Sequence, residues 1–161
     1  MYKIGDKVLY PMHGAGVIEG IEERDIMGKK HKYYTMHIPV GDMKVLIPCE
    51  GTENTGLRSI IDAKTADKVI EAMAIEEAEE LVSWNKRYRD NLQRIKSGDI
   101  FEVAAVTRAL MVRDREKGLS TGERKMMSDA RHILISELVL AKNVSKEEIS
   151  DMIEKKVFGN T

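Results

Sequence analysis

Proline and glycine divide this chain into two parts that cannot share a secondary-structure class. All three prolines, Pro11, Pro39 and Pro48, precede residue 50, and eight of the twelve glycines lie in the first 56 residues. From residue 65 onward there is no proline, and only Gly98, Gly118, Gly122 and Gly159 remain. Both residues are costly inside a helix and suit the turns between strands. The pattern predicts an α+β chain: a β-rich module over 1–60, then a compact all-helical module over 65–161, joined near Ser59 to Thr65.

The first module reads as short antiparallel strands. Lys7-Val8-Leu9-Tyr10 ends at Pro11. Ala15 to Arg24 sets Val17, Ile18 and Ile21 against Glu19, Glu22 and Glu23. Lys32 to Ile38 follows a turn over 27–30, Met43 to Ile47 ends at Pro48, and Gly56-Leu57-Arg58 makes a short closing strand. Strands this short and this closely spaced fit a small barrel, in which closure protects the edges. So small a core is marginal by itself, so packing on the helices is expected.

Helix starts are written openly in the second module. Asp99…Glu102, Ser120…Glu123 and Ser145…Glu148 each match a capping box, in which cap oxygen and Glu satisfy opposed backbone N–H groups. Gly98 and Gly118 sit where the preceding helices should stop. The predicted helices are 65–73, 78–96, 100–117, 121–142 and 146–157. Each carries an apolar stripe on one face, such as Ile100, Val103, Thr107, Leu110 and Met111, which suits a bundle.

Composition narrows the function. With 26 basic and 27 acidic residues the net charge is −1, which excludes a protein that coats DNA by bulk charge but not one with a local basic patch. One cysteine, Cys49, excludes an internal disulfide framework and a thiolate-rich zinc site. Cys49 reads as a half-buried strand-end residue rather than a nucleophile. The four histidines form no metal-ligand spacing, and His13-Gly14-Ala15-Gly16 lacks the Lys-Ser/Thr ending of a phosphate loop. No apolar run approaches the ~20 residues of a membrane span, and the start has no signal-peptide core. The expectation is a cytoplasmic, non-enzymatic monomer with no metal, no cofactor and no membrane partner.

The informative stretch is Trp84 to Lys96. It holds five basic residues and one acid, and contains the single tryptophan. It follows an acidic cluster, Glu76, Glu77, Glu79 and Glu80. Basic side chains neutralise phosphates, and an aromatic beside them can stack on a base or wedge a base step. Two placements of Trp84 fit the pattern. A helix running through it puts Trp84 at the edge of the stripe Leu81, Tyr88, Leu92 and Ile95, as core. Ser83 as an N-cap puts it in the first turn, exposed.

Three segments together resemble the CarD/CdnL family of bacterial transcription regulators. They are Gly5-Asp6-Lys7-Val8-Leu9-Tyr10-Pro11-Met12-His13-Gly14-Ala15-Gly16, the Trp-x-x-Arg-Tyr-x-x-Asn-Leu motif at Trp84 to Leu92, and Asp114 to Glu123. The resemblance covers nearly the whole chain. It implies a Tudor/SH3-like N-terminal barrel that docks on the RNA polymerase β subunit through Arg24, Ile26 and Leu46. Some family members carry arginine at the position of Leu46, so this contact is expected to be more apolar here. It further implies a helical domain that contacts promoter DNA in the minor groove, weakly and without sequence specificity. Trp84, Lys86, Arg87, Arg89 and Arg124 would make that contact, at the upstream edge of the transcription bubble, stabilising the open complex. The alternative is a Tudor- or KOW-like adaptor for protein or RNA, with Trp84 in the core and no DNA contact.

Overall fold

The computed structural model describes residues 2–76 and 82–159. Five strands come first: β1 (Lys7–Tyr10), β2 (Gly14–Ile26), β3 (Lys29–Ile38), β4 (Met43–Pro48) and β5 (Arg58–Ser59). They form one antiparallel sheet in the order β4-β3-β2-β1-β5. Five helices follow: α1 (Ala63–Ala72), α2 (Trp84–Lys96), α3 (Ile100–Lys117), α4 (Thr121–Lys142) and α5 (Lys146–Phe158). The α+β class read from proline and glycine, with a small Tudor-like β unit leading a helical part, is the class of this fold.

Two local features differ from the expectation. The turn after β2 is tighter than 27–30: Ile26 pairs with Lys29, so only Met27 and Gly28 make it. In β2 the apolar spacing does not alternate, because a bulge between Ile18 and Gly20 inserts Glu19 as an unpaired residue. Ile18 then faces Met36 and Ile21 faces Tyr34, so residues three apart share one face. Gly16 is required by close approach. A Cβ there would lie 2.8 Å from the carbonyl carbon of His37 and collide with its oxygen.

The helix ends follow the predicted caps with one change of partner and one correction of start. Ser120 and Ser145 accept from the N–H groups of Glu123 and Glu148, while Asp99 caps Phe101 rather than Glu102. Gly118 closes α3 at φ 78°, a conformation that favours glycine. The helix expected over 78–96 begins instead at Trp84, with Ser83 as its N-cap accepting from Lys86 N–H at 3.2 Å. The expected start at residue 78, together with Leu81 of the expected stripe and Glu77, Glu79 and Glu80 of the acidic cluster, lies outside the described residues.

One apolar cluster, Val8, Ile18, Tyr34, Met36, Ile38 and Ile47, fills the inner face of the sheet. The larger core joins all five helices and also takes in Leu9, Ala15 and Val40 from the β unit. That second contact overturns the one-face reading of α4, which buries every residue from Ile133 to Leu138. The β1–β2 side of the sheet covers what would otherwise be the solvent face of α4. A helix enclosed from both sides shows no single stripe.

Polar pairs run across this junction, although the buried His132 Nε2 beside Gly14 has no hydrogen-bond partner among the described residues. Ala15 N–H donates to Ser136 Oγ at 2.8 Å, and Ser136 donates to the Ile133 carbonyl at 2.7 Å. The fully buried Glu137 accepts from both terminal nitrogens of Arg58, at 2.7 and 2.9 Å, and from Ile61 N–H at 2.9 Å. Arg58 also donates to the Gly98 carbonyl between α2 and α3. One β5 side chain thus ties sheet, α4 and the α2–α3 turn together.

Candidate functional site

The N-termini of α2 and α4 meet, and Trp84 stands where they do. It is the first helical residue after the Ser83 cap, and 42% of it is exposed. Of the two placements the sequence allowed, the structure has the first-turn one. The indole stacks on Tyr88 one turn later, with centroids 5.1 Å apart and planes 21° from parallel. Both rings pass over the first turn of α4, where a Cβ on Gly122 would lie 3.6 Å from Tyr88 and 3.9 Å from Trp84.

The polar edge of the indole is held from below. Trp84 Nε1 donates to Glu123 Oε1 at 2.9 Å and to Ser120 Oγ at 3.2 Å. Arg87 Nε donates to the other carboxylate oxygen of Glu123 at 3.1 Å. Burial pushes the Glu123 carboxyl up. The hydrogen bond and charge of Arg87, the Trp84 N–H and the charge of Arg113 together outweigh it and hold the group below the usual glutamate range. An ionised carboxylate here is therefore kept by its donors.

The basic residues singled out in the sequence separate by role. Arg87 turns inward to Glu123, whereas Lys86, Arg89 and Arg124 are exposed. Lys86 pairs with Asp90 one turn on, at 2.7 Å, and Arg124 donates to the Leu119 carbonyl at 3.4 Å. Arg94 pairs with Glu102. The structure therefore brings Trp84 and Arg87 into one network with Glu123, Ser120, Tyr88 and Gly122, the last four not among the site residues expected from the sequence. A signal for Glu123 was present and misassigned: it is the glutamate of a capping box, yet its carboxylate goes to Trp84 and Arg87.

Arg24, Ile26 and Leu46 lie on the sheet. Leu46 pairs with Thr35, Thr35 with Gly20, and Gly20 is four and six residues from Arg24 and Ile26 along β2. Directly paired residues share a face and so do residues two apart, so all three occupy the face opposite the buried cluster. Arg24 and Ile26 are exposed and Leu46 is half-buried. Arg24 lies 3.5 Å from Glu22 in an exposed pair. The ribbon that carries Arg24 and Ile26 extends past β4, which ends opposite Tyr33.

Chemistry elsewhere is sparse. Cys49 follows β4 half-buried, and burial raises its thiol pKa against the lowering effect of Lys32. Among the described residues no cluster of three histidine, cysteine or carboxylate groups could hold a metal. No described helix is long and apolar enough to cross a membrane. An open depression of about 420 Å³ between α1, α4 and α5 is lined by three lysines, of which Lys142 and Lys156 pair with Asp67 and Glu71.

Comparison with known proteins supplies the context. The model of the CarD C-terminal domain matches residues 68–154, and that of the CarD-like/TRCF RID domain matches residues 2–61. A Bacillus subtilis (strain 168) protein described as "Putative transcription factor YdeB" is 37% identical over 149 residues, 92% of this chain and 97% of that protein. The 72-residue N-terminal domain of Myxococcus xanthus CarD, solved by NMR, overlaps 37% of this chain and 79% of its own at 25% identity. Its TM-score is 0.32, too low to bear on the fold. Two family models in the right order and a relative aligned almost end to end agree: the chain belongs to the CarD/CdnL family of transcription regulators.

Proposed function

We propose that this protein regulates transcription by binding rather than by catalysis. Residues 1–60 dock on the RNA polymerase β subunit, and residues 65–161 touch promoter DNA at the upstream edge of the bubble, stabilising the open complex. The observation that carries the reading is Trp84, a half-exposed indole fixed at the N-terminus of α2, with Lys86 and Arg89 exposed on the same helix and Arg124 exposed in the first turn of α4. Arg87 serves it through Glu123. Arg24, Ile26 and Leu46 share one outer sheet face and form the polymerase contact.

The energetics suit a tethered binder. Docking on polymerase raises the effective concentration of a weak DNA contact, so a small basic patch suffices at a net charge of −1. An indole that stacks only on opened or distorted DNA shifts the melting equilibrium toward that state. One stack of ~1–3 kcal/mol shifts it roughly 5- to 150-fold.

The test is open-complex lifetime with RNA polymerase on a promoter. Trp84→Ala should shorten it while leaving polymerase affinity unchanged; a wild-type lifetime removes the DNA contact. Arg24→Glu should weaken capture of the β subunit, and unchanged capture removes the docking face. The adaptor reading, with Trp84 in the core, is disfavoured by the exposure of the ring.

A further inference from the structure

We infer that Glu123 is the positioning residue of the Trp84 contact, its buried carboxylate fixing the indole in the orientation presented to DNA. The functional half of this inference rests on the DNA contact proposed above; the positioning half stands on geometry.

Glu123 is 2% exposed. A buried carboxylate is unfavourable unless its oxygens are paired, and a glutamate needed only for capping would lie at the helix surface. Here Oε1 accepts the single donor of the indole at 2.9 Å, and Oε2 accepts Arg87 Nε at 3.1 Å. The Ser120 hydroxyl, which caps the helix carrying Glu123, accepts from the same indole nitrogen. Three restraints then act on one half-exposed ring. Its polar edge is anchored to Glu123, one face lies on Tyr88, and Gly122 lets the pair settle over α4.

Two consequences follow. The ring is ordered before it meets a partner, so less freedom is lost on contact. Its only hydrogen-bond donor is already used, so it meets a partner through its carbon surface, by stacking or wedging. Arg87 takes part by holding the carboxylate charged and in place, which explains a basic residue that turns inward within a basic segment.

Trp84 is the only tryptophan, so fluorescence excited beyond the absorption of the five tyrosines reports this ring alone. Time-resolved anisotropy and acrylamide quenching are measured for wild type, Glu123→Met and Glu123→Gln, with open-complex lifetime beside them. Wild type should show an indole that tumbles with the protein. Glu123→Met should add a fast local component, raise quenching, and shorten the lifetime by ~2- to 10-fold, the cost of ordering one side chain on contact. Glu123→Gln keeps an acceptor for Nε1 and should restore slow anisotropy and most of the lifetime. If Glu123→Met does not fold, Arg87→Met with Glu123→Met also removes the Arg87 charge that the single change strands, and is measured for anisotropy in the same way.

A ring equally ordered in wild type and the methionine variant overturns the inference. So does equal loosening by methionine and glutamine, which would make the carboxylate a general structural anchor. Trp84→Ala is run in parallel. If it leaves the lifetime at the wild-type value, the DNA-contact reading fails, while the anisotropy comparison still decides whether Glu123 positions the ring.

Discussion

Replacing Arg58 by methionine keeps much of the aliphatic stem and removes every donor that its guanidinium gives to Glu137 and the Gly98 carbonyl. Glu137 would retain only the Ile61 N–H, and its charge would remain fully buried. Removing one partner of such a pair costs about 3–5 kcal/mol, against a typical total stability of about 5–15 kcal/mol. For a chain of this size that is a fall in Tm of roughly 6–20 °C. The double variant Arg58→Met with Glu137→Leu removes the stranded charge. It should recover about 2 kcal/mol or more of the loss, leaving mainly the orphaned Ile61 N–H at about 1–3 kcal/mol. Arg24→Met is the control, since its exposed pair with Glu22 at 3.5 Å should matter by less than about 1 kcal/mol. Urea titration followed by helical circular dichroism measures all four chains. A loss below about 1 kcal/mol for Arg58→Met, or a double variant no more stable than the single one, refutes the reasoning.

Four further outcomes are expected. Gly16→Ala should prevent stable folding, because its Cβ meets His37 backbone, while Gly20→Ala, 3.3 Å from a Thr35 hydroxyl, should be tolerated in the same urea titration. Ser120→Ala removes the cap of α4 and one acceptor of Trp84, and should cost about 1 kcal/mol in urea titration. His132 packs against the Gly14 and Gly41 turns, and burial, opposed by Asp129, holds its pKa below the usual histidine value. Its folded form binds fewer protons than the unfolded one, so its contribution is full above about pH 6.5 and lost as pH falls through the folded value. His132→Gln should therefore flatten the fall in urea midpoint on acidification. A fragment of residues 62–161 loses Leu9, Ala15 and Val40 from its core and Arg58 from Glu137, so its melt should be broader and lower than that of the intact chain.

What was legible in the sequence was whatever one residue decides alone. Proline and glycine separate strands from helices because their backbone limits hold in any environment, and Ser120 and Ser145 start helices because a cap acts within four residues. Relations between distant segments were not legible. The enclosure of α4 on both faces depends on where the sheet lands. The capping-box match at Glu123 concealed the partners 36 and 39 residues away that take its carboxylate. The same limit applies to charge. Counted along the chain, α2 carries +4. That count already includes Asp90, the partner of Lys86; in the fold Arg87 goes to Glu123 and Arg94 to Glu102, so about half of the remaining charge is met by other segments of the molecule. A field this weakened does not draw in DNA from a distance. On the proposed reading, then, the specificity of the contact lies in the held indole, and the encounter is supplied by the polymerase on which the sheet docks.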